Sequence, residues 1–100
     1  MKRYEGKRLA GVASVTVDGK SLDPRFDLAN HSPDGFEWGY GGSGPAQLAL
    51  ALLADALEDD EQACLWHQDF KRAVVAQLPR AGWSLTAEEI RVRVKALPQA

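Results

Sequence analysis

The sequence has little cysteine, no excess of basic residues and no long hydrophobic run. Cys64 is its only cysteine, so an intrachain disulfide is impossible, and this fits a reducing cytosol. The formal net charge is −2, so the chain offers no broad basic field for a nucleic-acid backbone. Direct nucleic-acid binding is therefore not expected.

Membrane-directed segments are also missing. The start of the chain, MKRYEGKRLAG, has no apolar stretch of the kind that forms a signal peptide. The most apolar segment, Leu48–Leu57, is much shorter than the roughly 20 residues that a bilayer crossing needs. We therefore expect a cytoplasmic protein without a membrane partner.

The chain does have an ordinary globular composition. Of its 100 residues, 45% are hydrophobic and 26% are charged, and the sequence contains no internal repeat or low-complexity tract. This predicts a single domain over residues 1–100 with one hydrophobic core.

A small antiparallel sheet is predicted in the first third of the chain. Val15–Val17 is β-branched and alternates with period two, and Asp18–Gly19 supplies the positive φ angles of a tight hairpin turn. Lys20–Leu22 would return as the next strand. Tyr4–Leu9 is a further strand, paired across Ala10–Gly11. The expected sheet has two to four strands.

The first predicted helix begins at Pro45 with Gly44 as its N-cap, and Gln47 is placed to fold back on the cap. Apolar residues cover nearly the whole circumference of the turns that follow, which indicates a helix surrounded by protein. A central buried helix is therefore expected at about residues 45–58.

Two more helices are predicted after it. One should run from Glu61 to Leu78, where Pro79 ends it. The other begins at Thr86, which forms a capping box with Glu89; residues 90–94 also alternate like a strand, but the cap favours a helix. The expected fold is α+β, with a small N-terminal antiparallel sheet packed on three helices.

The segment GFEWGYGGSGP, Gly35–Pro45, concentrates glycine and aromatic residues directly before the first helix. Its GYGGSG run, residues 39–44, fits the G-x-G-x-x-G pattern, but no βαβ unit surrounds it, so dinucleotide binding is not expected. Two interpretations stay open. In one, the glycines let the backbone pack closely while the aromatics are buried; in the other, the aromatics form a recognition surface.

No set of reactive residues is complete. Ser43 lacks the glycine that a nucleophile elbow needs two residues later, because Pro45 stands there. Cys64 and His67, at i and i+3, could supply half of a metal site, but a packed cysteine beside an exposed or core-edge histidine is the simpler interpretation. We predict no catalytic residue, no metal and no cofactor.

The candidate binding residues form two groups. One lies in and before the glycine-rich segment, and the other is part of an acidic cluster after the first helix, for which a solvated turn is the alternative. The candidates are Asn30, His31, Glu37, Trp38, Tyr40, Ser43, Asp59 and Asp60.

The run NHSPDGFEWGYGGSGPAQLAL, residues 30–50, resembles the hallmark of a family of short, uncharacterised bacterial and phage-borne proteins that is classed as a domain of unknown function. Asp69-Phe70-Lys71 and Trp83–Thr86 fit the same pattern, so the likeness covers nearly the whole chain. The resemblance implies a fold and a frequent place among mobile-element genes, but no established activity.

Three functional hypotheses follow. The leading one is a non-enzymatic module that binds a protein partner. The first alternative is an anti-defence inhibitor that blocks a host complex such as a CRISPR effector. The second is a small ligand-binding protein or enzyme that uses His31, Glu37 and Ser43 of the 30–44 segment. A homodimer through Trp66 or Trp83 is also conceivable.

Overall fold

The computed structural model describes residues 2–98, which form a four-stranded antiparallel sheet and three α-helices. The predicted α+β class is therefore confirmed. The strands are β1 Arg3–Leu9, β2 Val12–Val17, β3 Lys20–Ser21 and β4 Gly82–Thr86, in the order β3-β2-β1-β4. The helices are α1 Ser43–Leu57, α2 Asp60–Ala73 and α3 Ala87–Lys95, and a short 3-10 helix, Val75–Gln77, follows α2.

Both predicted hairpin turns are present. β1 and β2 are joined by Ala10 and Gly11, with φ of 53° and 81°, and β2 and β3 by Asp18 and Gly19, with φ of 50° and 83°. Two consecutive positive φ angles match the right-handed twist of the flanking strands. Glycine and aspartate tolerate this conformation better than alanine does, so Ala10 is the unfavourable residue of the four.

Strand β4 was not predicted. The sheet is therefore not purely N-terminal, because its edge strand β4 comes from the last third of the chain. It pairs with β1 so that Tyr4 lies opposite Leu85. Only Trp83 and Leu85 point toward the core along this short strand. Two residues are too few to give a clear period-two signal, and the capping box begins directly after them.

Helix α1 is the central buried helix, as predicted, but it begins two residues earlier than Pro45. Its first residue is Ser43 and its N-cap is Gly42 rather than Gly44. Pro45 is tolerated inside the first turn, because none of the first four helical N–H groups has a partner within the helix. Residues 44–54 are all buried between the sheet and the other helices.

The other two helices fit the sequence with one correction. Helix α2 ends at Ala73 rather than Leu78, because Val74 leaves the helical region at φ −122° and the chain tightens into the 3-10 helix. The capping box of α3 is confirmed: Thr86 Oγ1 accepts from the Glu89 amide at 3.1 Å, and Glu89 Oε1 accepts from the Thr86 amide at 2.8 Å.

Candidate functional site

Most of the candidate binding residues lie in residues 22–42, the segment that connects β3 to α1 and that we call the long loop. It contains no α-helix or β-strand. Its backbone groups therefore need partners other than a regular hydrogen-bond ladder.

The buried Gln47 of α1 supplies four of those partners to the first half of the long loop. Its Oε1 accepts from the amides of His31, at 2.7 Å, and Ser32, at 3.2 Å. Its Nε2 donates to the carbonyls of Pro24, at 2.6 Å, and Ala29, at 3.0 Å. Both donors and both acceptor positions of the amide are used. The predicted contact of Gln47 with the helix cap is therefore wrong, since the side chain clamps the long loop instead.

His31 also contacts α2, where its Nε2 lies 3.0 Å from Nε2 of His67. The other ring nitrogen of His67, Nδ1, lies 2.8 Å from the carbonyl of Cys64, so we assign the proton to Nδ1. With this assignment, His67 Nε2 accepts from His31 Nε2–H. Burial, together with the neighbouring His67 and Lys71, lowers the pKa of His31.

The expected packing of Cys64 is wrong, and His67 lies at the buried end of the exposed or core-edge position expected for it. The cysteine is exposed, whereas the histidine is buried. Within residues 2–98, no group of three or more histidine, cysteine, aspartate or glutamate side chains is placed to hold a metal ion. The absence of a metal and a cofactor stays a prediction.

The second half of the long loop is fixed around Trp38, whose side chain has no exposed area. Its Nε1 lies within hydrogen-bond distance of two carbonyls, those of Pro79 at 3.0 Å and Arg80 at 3.2 Å. The Arg8 guanidinium lies 4.5 Å from the centroid of the Trp38 ring. The Trp83 ring packs edge-on against the Trp38 ring, with 5.7 Å between the two centroids. Trp38 therefore acts as a packing element of the scaffold.

Glu37 takes part in the same cluster. Its carboxylate accepts two hydrogen bonds from Arg8, at 2.7 and 3.1 Å, and this bidentate pair lowers the pKa of Glu37. Arg8 Nε also donates to the carbonyl of Arg80 at 2.7 Å. The Trp83 indole, in turn, occupies the space where a Cβ of Gly6 would lie, which explains glycine at that position of β1. The Arg8–Glu37 ion pair thus joins β1 to the long loop.

The remaining candidates of this region lie at its rim. Tyr40 is 44% exposed, and its ring packs against Gly42. Asn30 and Ser43 are exposed, and Ser43 opens α1. Of the aromatic residues of the long loop, Phe36 is half-buried. The glycine-rich segment is thus mostly a packing element, with Tyr40 as its exposed edge.

The acidic candidates have structural partners. Asp59 is the N-cap of α2 and accepts from the Gln62 amide at 3.1 Å. Asp60 forms an ion pair with Arg25 of the long loop at 2.9 Å. Asp59 therefore caps α2 and Asp60 holds the long loop, although both residues are also exposed to solvent.

Asp55, at the end of α1, forms a separate polar cluster. It accepts from the Tyr4 hydroxyl at 2.6 Å and from Lys2 Nζ at 3.0 Å. Burial and the adjacent Asp55 carboxylate raise the pKa of Tyr4 above its usual value. A cavity of about 460 Å³ lies beside it, with Glu58 and Arg91 in its wall. This cluster ties β1 to α1.

Sequence reasoning missed the surface formed by residues 9–12, which we call the tip of the β1–β2 hairpin. Leu9 and Val12 lie opposite each other and are 72% and 67% exposed. A shallow cavity of about 280 Å³ adjoins Val12, with Asp34 and Phe36 of the long loop in its opposite wall. The parity of β1 could have revealed Leu9, since Tyr4 is buried and every residue an odd number of positions away faces outward.

Comparison with known proteins places the chain in a family. A protein-family model, described as a family of unknown function (DUF6166), matches residues 4–96. The chain belongs to the DUF6166 family. No curated protein and no solved structure gives a significant match. Over residues 2–98 of this family member, none of the helices has the length and apolar character needed to cross a membrane.

Proposed function

We propose that the protein is a non-enzymatic protein-interaction module whose contact surface is the tip of the β1–β2 hairpin and the cavity beside it. The observation that carries the proposal is the exposed pair Leu9 and Val12. These are the two most exposed large hydrophobic side chains within residues 2–98, and they are direct cross-strand neighbours. Single exposed apolar residues are ordinary on a soluble surface, whereas adjacent ones are typical of contact sites.

The backbone of the tip supports the same conclusion. Ala10 adopts φ 53°, which costs an alanine on the order of 1 kcal/mol relative to a residue that tolerates this conformation. Nothing in the packing requires alanine there, because the residue is exposed. A small, uncharged residue at this position keeps the apolar pair accessible to a partner.

The cavity beside the tip indicates the chemistry of the partner. Two carboxylates line it, those of Asp34 and Glu37. Glu37 is neutralised by Arg8, but Asp34 is exposed and forms no ion pair within residues 2–98. The surface therefore fits a protein that presents an apolar side chain next to a lysine or arginine.

No observation favours the alternatives in the same way. His31 and Glu37, which an enzyme or ligand site would bring together, are held by different partners, His67 and Arg8. The anti-defence inhibitor and the small ligand-binding protein or enzyme stay predictions from the sequence, as does a homodimer.

A matched pair of double variants tests the proposal. In Leu9→Ser with Val12→Ser, the tip loses its apolar pair. In the control, Leu65→Ser with Val92→Ser, two residues that are 65% and 57% exposed are changed elsewhere. A photo-crosslinking residue at position 12 in host cells, with position 92 as the control, identifies the partner.

We expect crosslinking from position 12 only. The tip variant should weaken binding of the crosslinked partner about 30- to 900-fold, because each of the two apolar side chains contributes about 1–2 kcal/mol when buried. Asp34→Asn should weaken binding less than the tip variant does, and its effect should be larger at low salt than at high salt. If the tip variant is folded, as judged by circular dichroism, and binds as tightly as the native chain, the proposal is wrong.

A further inference from the structure

The His31–His67 pair takes no part in the proposed contact surface. We propose that it is a pH-sensitive latch, which holds the long loop against α2 while both imidazoles are neutral and releases it when they are protonated. The latch does not depend on the proposed contact surface, although the long loop forms one wall of the cavity beside the tip.

The geometry allows only one proton between the two rings. Their Nε2 atoms are 3.0 Å apart, a hydrogen-bond distance that requires one donor and one acceptor. The hydrogen bond between His67 Nδ1 and the Cys64 carbonyl makes His67 Nε2 the acceptor. A proton added to His67 Nε2 would leave two N–H groups facing each other, so the contact would be lost.

No neighbouring negative charge would offset a positive charge added to the His31–His67 pair, within residues 2–98. From α2, Lys71 adds a positive charge near His31, and the Gln68 amide nitrogen lies 3.5 Å from His67 Nε2. From α1, the neutral Gln47 binds the backbone amide of His31. Within residues 2–98, no carboxylate forms a hydrogen bond or ion pair with either ring. Protonation of His31 is therefore opposed by its burial and by Lys71, and no neighbouring carboxylate in the described part of the chain offsets the added charge.

The pH window follows from the direction of the shift. Because the pKa of His31 lies below its ordinary value of 6.5 in the closed state, the open state binds protons more readily. The stabilisation of the closed state by His31 is complete above about pH 6.5, and below that the opening equilibrium rises by up to about tenfold per pH unit while His31 stays neutral in the closed state. The sequence has two histidines, so no other side chain of this type contributes.

Opening should be visible at two amides. The N–H groups of His31 and Ser32 both bind Gln47 Oε1, so they are protected from hydrogen exchange only while this part of the long loop is in place. Exchange rates corrected for their intrinsic pH dependence therefore report the latch directly.

The test is NMR spectroscopy of the full chain between about pH 7.5 and pH 5, where histidine is the side chain that ordinarily titrates. It follows the ring signals of both histidines and the exchange of the two amides. The variants are His31→Gln and His67→Gln, each of which removes one member of the pair, and Lys71→Gln, which removes only the nearby charge.

In the native chain we expect His31 to titrate below pH 6.5 and amide opening to increase about tenfold or more from about pH 6.5 to pH 5. The increase should be absent in His31→Gln, and it should be smaller than in the native chain in His67→Gln and Lys71→Gln, which keep the buried His31 but remove one of its neighbours. The latch is refuted if the native amides keep their protection at pH 5, or if a folded histidine variant shows the same increase. Because the ring titration needs no variant, His31 titrating at or above 6.5 in the native chain also refutes it.

Discussion

The long loop and the tip of the β1–β2 hairpin differ in how well their sequences indicate their surroundings. The long loop has the conspicuous sequence, yet Gln47, His67 and Arg8 bind it from three different elements. The tip has an inconspicuous sequence, yet Leu9 and Val12 face solvent. A chain segment without regular structure needs side chains to satisfy its backbone and cover its core, so unusual residues in such a segment are often used by the fold itself.

The strongest way to break this contrast is to remove the clamp on the long loop. Gln47→Leu keeps the volume but leaves two amides and two carbonyls near it without partners. We expect the free energy of unfolding to fall by about 3–5 kcal/mol in urea denaturation. Gln77→Leu, at an exposed glutamine, is the control and should change it by less than about 0.5 kcal/mol. A loss below about 1 kcal/mol for Gln47→Leu would mean that the long loop does not depend on the clamp.

A second change tests the aromatic cluster from the sheet side. Gly6→Ala forces the added methyl group against the Trp83 indole, so Trp83, which packs edge-on against Trp38, must move. We expect a loss of about 2–3 kcal/mol in the free energy of unfolding, measured by thermal or urea denaturation. Gly41→Ala is the matched control, because nothing lies within 4 Å of its added methyl group. Equal stability of the two variants would argue against tight packing around Trp38.

A third change sharpens the contrast through pH. Glu37→Gln replaces the bidentate ion pair with Arg8 and should cost about 1–2 kcal/mol at neutral pH. Because the folded-state pKa of Glu37 lies below its ordinary value of 4.5, the stabilisation is complete above that pH and is lost as the pH falls through the folded-state pKa. Melting temperatures of the native and variant chains should therefore converge below about pH 4. A constant difference down to pH 3 would contradict this assignment.

The smallest expected effect is at the tip, and it has the opposite sign. Ala10→Asn should raise the free energy of unfolding by about 0.5–1 kcal/mol, because asparagine tolerates the positive φ of this residue better than alanine does. Ala81→Asn, in an exposed turn without a positive φ, should have almost no effect. A destabilising Ala10→Asn would mean that the turn is not strained.

Local signals account for the parts of the fold that were predictable. The two hairpin turns, the apolar α1 and the capping box at Thr86 and Glu89 each depend on residues close in sequence. The features that were missed join distant residues: Gln47 reaches Pro24, and His31 reaches His67. β4 gave no signal of its own, since its place is set by pairing with β1 at the other end of the chain. The parity of β1 indicates that Leu9 faces outward, but its pairing with Val12 became visible only when the register of β1 and β2 was known.

Native-state hydrogen exchange at neutral pH tests the central claim most directly, which is that the long loop is fixed scaffold and the tip is a free surface. The amides of His31 and Ser32 donate to Gln47 Oε1, and the amide of Gly39 donates to the carbonyl of Val75. They should exchange at least about 100-fold more slowly than an unstructured chain, whereas those of Ala10 and Gly11 should remain within about tenfold of it. Fast exchange at His31, Ser32 and Gly39 together with strong protection at Ala10 and Gly11 would contradict the account.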